Sequence, residues 1–497
     1  MMNAARVISL DGIDAASVIV IPVRFVEGEA HVAPGVPSSL AGHELPPVLS
    51  ASWCAAHGLS EKMASAVSLA SIDGPTIVLV SIGSEAPTAE AYRFVGATGA
   101  RRAHGAAVAF VLPTSGAFDN GALAAGLVEG ALLSSYDYKE PAIKGECLIV
   151  AVGDPLPSVA DHDAVVAGVN RAVTVANATN WSKRLVDTPA NTMTPKELAR
   201  QIAQRVEGHD GVTVDVWTES KIRDERLGAV LAVSAGSAEP ARVVIASYRP
   251  ANAVAHVALV GKGVTFDTGG LAIKPLNSMI GMKVDMSGAA VVAGAIDAVA
   301  SLGLPVRVTM IAPLVENMSG DRAIKPTDVV TSRSGRTIEI ENPDAEGRLI
   351  LADAMTLAVE AKPDAIIDVA TLTGAMMVAL GEECAGLFAS DEVLSTRLMA
   401  AASSAGEPLW PMPLLHRYNK DIESTVADLK NRGNASGYGG AIAAALFLEH
   451  FAEGVPWAHL DIAGPATNDS ASDYQSKGAT AYGVRTLVTM ITDLASA

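Results

Sequence analysis

Apolar and polar positions divide the chain into two stretches of differing rhythm. Up to about residue 155, short β-branched apolar runs alternate with longer stretches of helical period. Val18–Val26, Thr76–Ile82, Ala107–Leu112 and Cys147–Val152 read as strands, and Ala122–Leu133 and Ala164–Ala178 as helices. Pro155, Pro157 and the polar run around Asp161 mark a boundary, and the helical stretch Asp163–Asn180 is placed to link two domains. Beyond about residue 185 the alternation is more regular. His256–Val260, Val306–Ala312, Ala365–Ala370 and Ala458–Ile462 read as strands, and Gly288–Leu302, Glu346–Ala361 and Gly440–Phe451 as helices. Strands separated by helices predict an α/β protein of two domains, each a mostly parallel or mixed sheet flanked by helices. The predicted division is residues 1–160, a linker helix over 161–184, and a C-terminal domain over 185–497. No internal repeat of solenoid length is present.

Composition narrows the function classes. Of 497 residues, 49% are hydrophobic and 18% charged, enough apolar material for a large core, while aromatics are only 4%, so that core must be built from aliphatic residues. The formal charge is −18, and residues 1–170 carry 8 Lys+Arg against 17 Asp+Glu. Such a field repels phosphate backbones and attracts cations, which disfavours a nucleic-acid partner. Cys54, Cys147 and Cys384 stand far apart in no CxxC spacing, which argues against a disulfide framework or thiolate zinc site and for a reducing cytoplasm. Asp11 and Asp14 interrupt what would have to be the apolar core of a signal peptide. No run of 18 apolar residues occurs, so a cytoplasmic chain without a membrane partner is expected.

Several motifs are absent: a GxGxxG turn after a strand (the nearest string, Gly261–Phe266, has Phe in the third glycine position), a P-loop, a GxSxG elbow and HExxH. Two segments instead concentrate charge in sparsely charged surroundings. Residues 260–290 carry Lys262, Asp267, Lys274, Lys283 and Asp285 just after a buried strand, where open α/β sheets bind ligands. Residues 341–355 carry Asp344, Glu346 and Arg348 at alternate positions before an apolar helix. An extended backbone would aim those three at one point. Separately, each feature reads as a turn residue, a helix cap or a solvated lysine. Together, Asp267, Asp285, Asp344 and Glu346 would repel one another unless cations sat among them. Two divalent ions balance four carboxylates, and oxygen-rich ligation suits Mn²⁺, Mg²⁺ or Zn²⁺.

The octapeptide Asn342-Pro343-Asp344-Ala345-Glu346-Gly347-Arg348-Leu349 resembles the signature of the leucyl aminopeptidase family, the M17 cytosol aminopeptidases, with Pro in place of the usual Thr. Val260–Ala290 is similar to that family's other metal-binding stretch, with Thr268 in place of a common Ser. Val186–Pro195, Pro313–Gly320, Ala370–Ala375, Tyr438–Ala441 and His459–Gly464 add further likeness, so the resemblance runs over roughly 180–490. It implies a metal-dependent aminopeptidase of intracellular peptide turnover that removes Leu-like residues from peptides with a free N-terminus. Residues 185–497 would be its catalytic domain, and 1–160 would serve assembly or regulation. By the same resemblance Lys262, Asp267, Asp285, Asp344 and Glu346 hold two divalent ions (Mn²⁺ or Zn²⁺), with Asp267 and Glu346 shared. Lys274 polarises the scissile carbonyl, and Arg348 holds a bicarbonate general base. Met282, Thr371, Gly374, Ala463 and Ala466 line the first side-chain pocket, and the assembly is a homohexamer. Competing readings are another dinuclear-metal hydrolase such as a phosphoesterase, a DNA-binding accessory protein, and an inactive structural hexamer. The lack of His ligands, the acidic charge and the full set of site residues respectively weigh against them.

Overall fold

The computed structural model describes the chain except residues 1–4, 10–12, 14–15, 33–35, 37, 41–42, 72–73, 113–117, 140–147, 153–158, 434–436 and 497, with backbone alone for 148–152 and 159–160. Cys147, Pro155 and Pro157, and the centre of the polar loop Asn431–Gly437, lie outside the described residues. The chain forms two compact units, one of Met1–Asn180 with Asp469–Lys477 and the other of Trp181–Asn468 with Gly478–Ala497. Residues of the single helix Val159–Asp187 fall in both.

In the first unit the strands are β1 (Arg6–Ser9), β2 (Val18–Val26), β3 (Glu29–Val32), β4 (Ser39–Leu40), β5 (His43–Glu44), β6 (Val48–Leu49), β7 (Ala66–Leu69), β8 (Thr76–Ser81), β9 (Val108–Leu112) and β10 (Leu148–Val152). The helices are α1 (Ala51–His57), α2 (Ala89–Ala103), α3 (Asn120–Ser134) and α4 (Val159–Asp187). The main sheet runs β1-β10-β9-β2-β3-β6, with β8 also on β2 and β7 on β8. Contacts among β1, β10, β9, β2 and β8 are parallel, whereas β3, β6 and β7 pair antiparallel. Alternation along β2 sorts its side chains. Val18 and Val20 join the cluster under α2 and α3, and Ile19, Ile21, Val23 and Phe25 join the cluster on the opposite face. The Thr88 hydroxyl accepts the Ala91 N–H and so starts α2.

The second unit adds β11 (Val212–Trp217), β12 (Arg242–Tyr248), β13 (His256–Gly261), β14 (Gly263–Asp267), β15 (Arg307–Asn317), β16 (Val329–Thr331), β17 (Thr337–Glu339), β18 (Ala365–Ala370), β19 (Ala385–Ala389), β20 (Leu409–Pro411), β21 (Leu429–Lys430), β22 (Trp457–Asp461), β23 (Thr467–Asn468) and β24 (Gly478–Ala479). Its helices are α5 (Pro195–Val206), α6 (Glu219–Asp224), α7 (Gly228–Ser234), α8 (Leu276–Met279), α9 (Ser287–Ser301), α10 (Gly347–Glu360), α11 (Gly374–Leu380), α12 (Glu392–Ala405), α13 (Gly440–Glu449) and α14 (Val484–Ser496). The large sheet runs β11-β12-β15-β13-β18-β22-β19-β20, with β14 added to β15. Its centre, β15-β13-β18-β22, is parallel, as are β14 on β15 and β20 on β19, whereas β11 on β12, β12 on β15 and β19 on β22 are antiparallel. Every residue of β13 is buried, as both-face helix cover requires. Each buried Val, Leu or Ile of these strands contributes about 1.5–3 kcal/mol. Helix α9 is built of Ala, Gly and Val and lies close to the sheet, where a Cβ on Gly288 would fall 2.0 Å from the Val369 carbonyl oxygen.

One strand is longer than its sequence suggested. β15 continues beyond Ala312 through Pro313 to Asn317, because β14 takes over as its partner where β13 ends. The stretch Leu276–Ser301 is apolar and long enough to cross a membrane, with a mean hydropathy of 1.4, yet 67% of that window is buried inside the fold. Gly281 (φ +90°) breaks it, and it carries Lys283 and Asp285, so it is a core element.

Candidate metal and active site

The site forms at the carboxyl ends of β13, β14, β18 and β22. Lys262 follows β13 and Asp267 ends β14. The next loop closes tightly: the Thr268 N–H donates to the Asn317 carbonyl (3.0 Å) and the Lys274 N–H to the Thr268 carbonyl (2.9 Å). That closure returns Lys274 to Asp267, and Gly269 (φ +85°) supplies the left-handed turn it needs. A 3-10 turn, Met282–Met286, then presents Met282 and Asp285.

The 341–348 segment differs from the extended approach expected of it. Residues 343–344 form a turn, Glu346 has helical angles (φ −78°, ψ −36°), and Arg348 lies in the first turn of α10. Asn342 makes the turn: its side-chain oxygen accepts the Asp344 N–H at 3.0 Å, and its carbonyl accepts the Ala345 N–H at 3.0 Å. Turn plus helix, rather than strand alternation, aims Asp344, Glu346 and Arg348 into one cavity. Gly347 is required next to them, because a Cβ there would sit 2.5 Å from Lys262 Cε and 2.8 Å from its Nζ.

Two lysines hold four carboxylates. Lys262 Nζ lies 2.7 Å from Asp285 Oδ1 and 2.9 Å from Glu346 Oε1, and donates to the Thr371 carbonyl at 2.8 Å. Lys274 Nζ lies 2.8 Å from Asp267 Oδ2 and 2.5 Å from Asp344 Oδ1. Asp267 Oδ1 also accepts the Gly269 N–H and Asn317 Nδ2, both at 2.8 Å. Burial raises the carboxyls of Asp267, Asp285 and Asp344, with Glu346 adding to the rise at Asp267 and Asp285. Burial works against the charge on Lys262 and Lys274 too, yet the surrounding carboxylates outweigh it and hold both amines above their ordinary range. Arg348 is buried, and that lowers its guanidinium to about 10 against the pull of Glu346 and Asp461.

The donor set suits a divalent cation. Asp267, Asp344 and Glu346 each bring an oxygen within 4.8 Å of the others'. Asp285 Oδ2 and Glu346 Oε2 are buried with no hydrogen-bond partner among the described residues, as is Arg348 Nε. Buried acceptors left unpaired are costly, and a hard cation is what all-oxygen donors satisfy.

The cavity, about 590 Å³, is lined by all the residues that the family resemblance gave a role except one, while Lys283 turns away and donates to the Asp187 carbonyl. Lys262, Lys274, Arg348 and the four carboxylates are there, with Met282, Thr371, Gly374 and Ala463. Ala466 is the exception: it is buried outside the lining, where its carbonyl accepts the Thr480 N–H.

Other residues carry the site without having stood out in the sequence. Asn431, fully buried, accepts the N–H groups of Glu341 and Asn342 and donates to the carbonyls of Asn342 and Ala345, clamping the turn that bears Asp344. Asn317 bridges Asp267 to the Pro343 carbonyl. Asp461 takes the N–H groups of Leu372, Thr373 and Ala463 and the Thr373 hydroxyl, fixing the loops after β18 and β22. His459 Nδ1 and Trp457 Nε1 both meet Asp368, at 2.6 and 2.7 Å. Asp461 and His459 lie inside the stretch His459–Gly464 already noted. Asn317 likewise lies inside Pro313–Gly320, and Asn431 alone carries no local signal.

Residues 180–488 match the cytosol aminopeptidase family, catalytic domain. The chain belongs to the cytosol aminopeptidase family. A probable cytosol aminopeptidase of Leifsonia xyli is 42% identical over 434 residues, covering 84% of this chain and 86% of its own. Among solved structures, the bottromycin maturation enzyme BotP in complex with Mn is 35% identical, with a TM-score of 0.83, over 97% of this chain and 100% of that one. A substituted form of tomato leucine aminopeptidase is 31% identical, with a TM-score of 0.82, over 99% and 97%. The protein is therefore a hydrolase of the M17 cytosol aminopeptidases. Family membership and the manganese-bound relative support its use of a divalent metal.

Proposed function

We propose that the chain is a dinuclear-metal exopeptidase that removes Leu-like residues from the free N-terminus of peptides, working as a homohexamer in the cytoplasm. Residues 185–497 would catalyse, residues 1–160 would serve assembly or regulation, and 161–184 would link them. The observation that carries this reading is the set of four buried or half-buried carboxylates with unpartnered oxygens on Asp285 and Glu346. That much negative charge in one cavity calls for two cations. Asp267, Asp344 and Glu346 would hold one ion; Lys262 and Asp285, sharing Asp267 and Glu346, would hold the other. When bound, the ions supply Lewis-acid polarisation of the carbonyl and lower the pKa of the attacking water.

The chain's own groups do the rest. Lys262 can act as a ligand only as the free amine, so it must give up the proton that Asp285 and Glu346 now favour. Lys274 keeps its charge beside Asp267 and Asp344 and stabilises the oxyanion of the tetrahedral intermediate. Arg348 would hold the bicarbonate base that the family resemblance implies, and at about 10 it remains a cation at neutral pH. The peptide's amine would bind at the Lys262–Asp285 end, with its first side chain against Met282, Thr371, Gly374 and Ala463. These small or flexible apolar walls suit Leu or Met.

The decisive experiment assays an aminoacyl anilide and a phosphate ester after chelation and after Mn²⁺ or Zn²⁺ readdition, for wild type, Lys274→Ala and Glu346→Ala. Metal should restore anilide hydrolysis to wild type alone, with both variants at least ~100-fold slower. Unchanged activity in either variant would reject its assigned role, and preference for the ester would reject the peptidase reading.

A further inference from the structure

The first unit contains a cavity of its own, about 440 Å³, at the carboxyl ends of its parallel strands. Strand β2 pairs with β9 over Val18–Val20 and then with β3 over Val23–Val26. The divergence of β9 and β3 at this change of neighbour opens a crevice, the position at which open α/β sheets take ligands. Pro22, Arg24 and Val26 continue the face of β2 that Val18 and Val20 present to α2. Helix α2 starts only at Ala89, and Arg24 and Val26 are exposed. In register, Arg24 stands opposite His31 and His31 opposite Val48, so one row of side chains crosses three strands into the cavity.

Two independent features mark it as built for a ligand. Tyr92, in the first turn of α2, is 1% exposed and lines the cavity, and its hydroxyl has no hydrogen-bond partner among the described residues. The ring is buried while the hydroxyl oxygen is not sealed from solvent, so a ligand group in the cavity can pair with it. Burial also raises its phenol, so the group stays neutral and able to donate. Secondly, Arg24 brings a cation to the cavity and no Asp or Glu lines it among the described residues, in a chain of formal charge −18. The rest of the wall is apolar, with Ile82, Phe118 and Val48 beside Pro22, Pro47 and Pro87, whose fixed φ stiffens it.

We propose that this cavity binds a small apolar monocarboxylate. The Arg24 guanidinium takes the carboxylate, the Tyr92 hydroxyl donates to it, and Val26, Val48, Ile82 and Phe118 cover the hydrocarbon body. One permanent cation matches a single negative charge, and the apolar wall disfavours inorganic phosphate. Free amino acids are disfavoured because no carboxylate among the described lining residues pairs with an ammonium group.

Isothermal titration of the whole protein with 3-phenylpropanoate tests this, with 3-phenylpropylamine and inorganic phosphate as controls. The acid should bind and the controls should not. Arg24→Gln should weaken binding about tenfold or more and Tyr92→Phe about threefold or more, as loss of one charged and one neutral partner requires. Hydrolysis of an aminoacyl anilide by both variants should match wild type, which also shows that they fold. Equal binding of the acid by wild type and both variants, no binding up to millimolar acid, or equally tight binding of the amine or of phosphate would each overturn the proposal.

Discussion

The two cavities occupy the same kind of place in two different sheets and differ in nearly everything else. Each opens where a strand changes neighbour, and each time a proline stands at the change. In β2, even-numbered residues point their N–H toward β9 and β3, as Val18 does toward the Ala107 carbonyl, so Pro22 lacks its donor where the ladder is broken. In β15, odd-numbered residues face β13 and β14, as Arg307 does toward Ala255, and Pro313 falls between the two partners. A proline at either point costs no ladder bond. One cavity gathers four carboxylates, two lysines and a buried arginine; the other gathers valines, prolines and a single arginine. Backbone topology fixes where a cleft forms, and side chains decide what it can hold.

The contrast can be broken or sharpened experimentally. The largest effect belongs to the acidic cavity: Glu346→Ala or Lys274→Ala should cost at least ~100-fold in aminoacyl anilide hydrolysis, read as kcat/KM. Chelation should abolish activity and lower the melting temperature of the same preparation. An ion at ~100 times its dissociation constant contributes about 2.7 kcal/mol to the folded state, and calorimetry with and without Mn²⁺ measures it. An unaltered melting curve would mean that the carboxylates need no cation.

Next is Asp353, fully buried on α10 behind Arg348. Its two oxygens accept the Val230 and Arg333 N–H groups at 2.9 and 2.7 Å, and burial raises its carboxyl to about 7. Asp353→Asn turns an amide NH₂ toward one of those donors and should cost about 1–3 kcal/mol in urea unfolding, with less effect on KM than on stability.

A smaller effect concerns Lys183, whose amine burial, helped by Arg485, lowers to about 7 against Asp187 and Glu407. Between about 7 and 10.5 the unfolded chain then binds more protons at this lysine than the fold does, so its contribution to stability rises with pH across that window. Lys183→Met should flatten that part of the stability–pH curve, and an unchanged slope would refute the shift. The smallest effect on hydrolysis belongs to the apolar cavity: Arg24→Gln and Tyr92→Phe should leave the rate alone and change only ligand binding. A large rate loss in either would erase the functional contrast between the two cavities.

Much of the acidic site could be read from short stretches. Lys262, Asp267, Lys274 and Asp285 share one segment, and Asp344, Glu346 and Arg348 share another, so spacing alone made them candidates. The path between them could not be read. Alternation suggested an extended 344–348, whereas Asn342 and Asn431 fold it into a turn leading into a helix. Asn431 acts across 89 residues, Asp353 reaches Val230 across 123, and Asn317 reaches Asp267 across 50. A lone Asn in a polar loop looks like any turn residue until its partners arrive. Ala466 lies outside the lining for a related reason: lying near Ala463 in sequence says little about facing the same cavity.

The sequence by itself determined the two-unit α/β plan, most of the central strands and the chemical inventory of the site, because periodicity and local spacing are written into adjacent residues. Tertiary structure alone decided which carboxylate oxygens are left unpartnered, which lysine holds which pair, and that Tyr92 and Arg24 line one cavity in the first unit. Burial and Coulomb interaction depend on distance through space, and that distance is set by chain segments far apart in sequence.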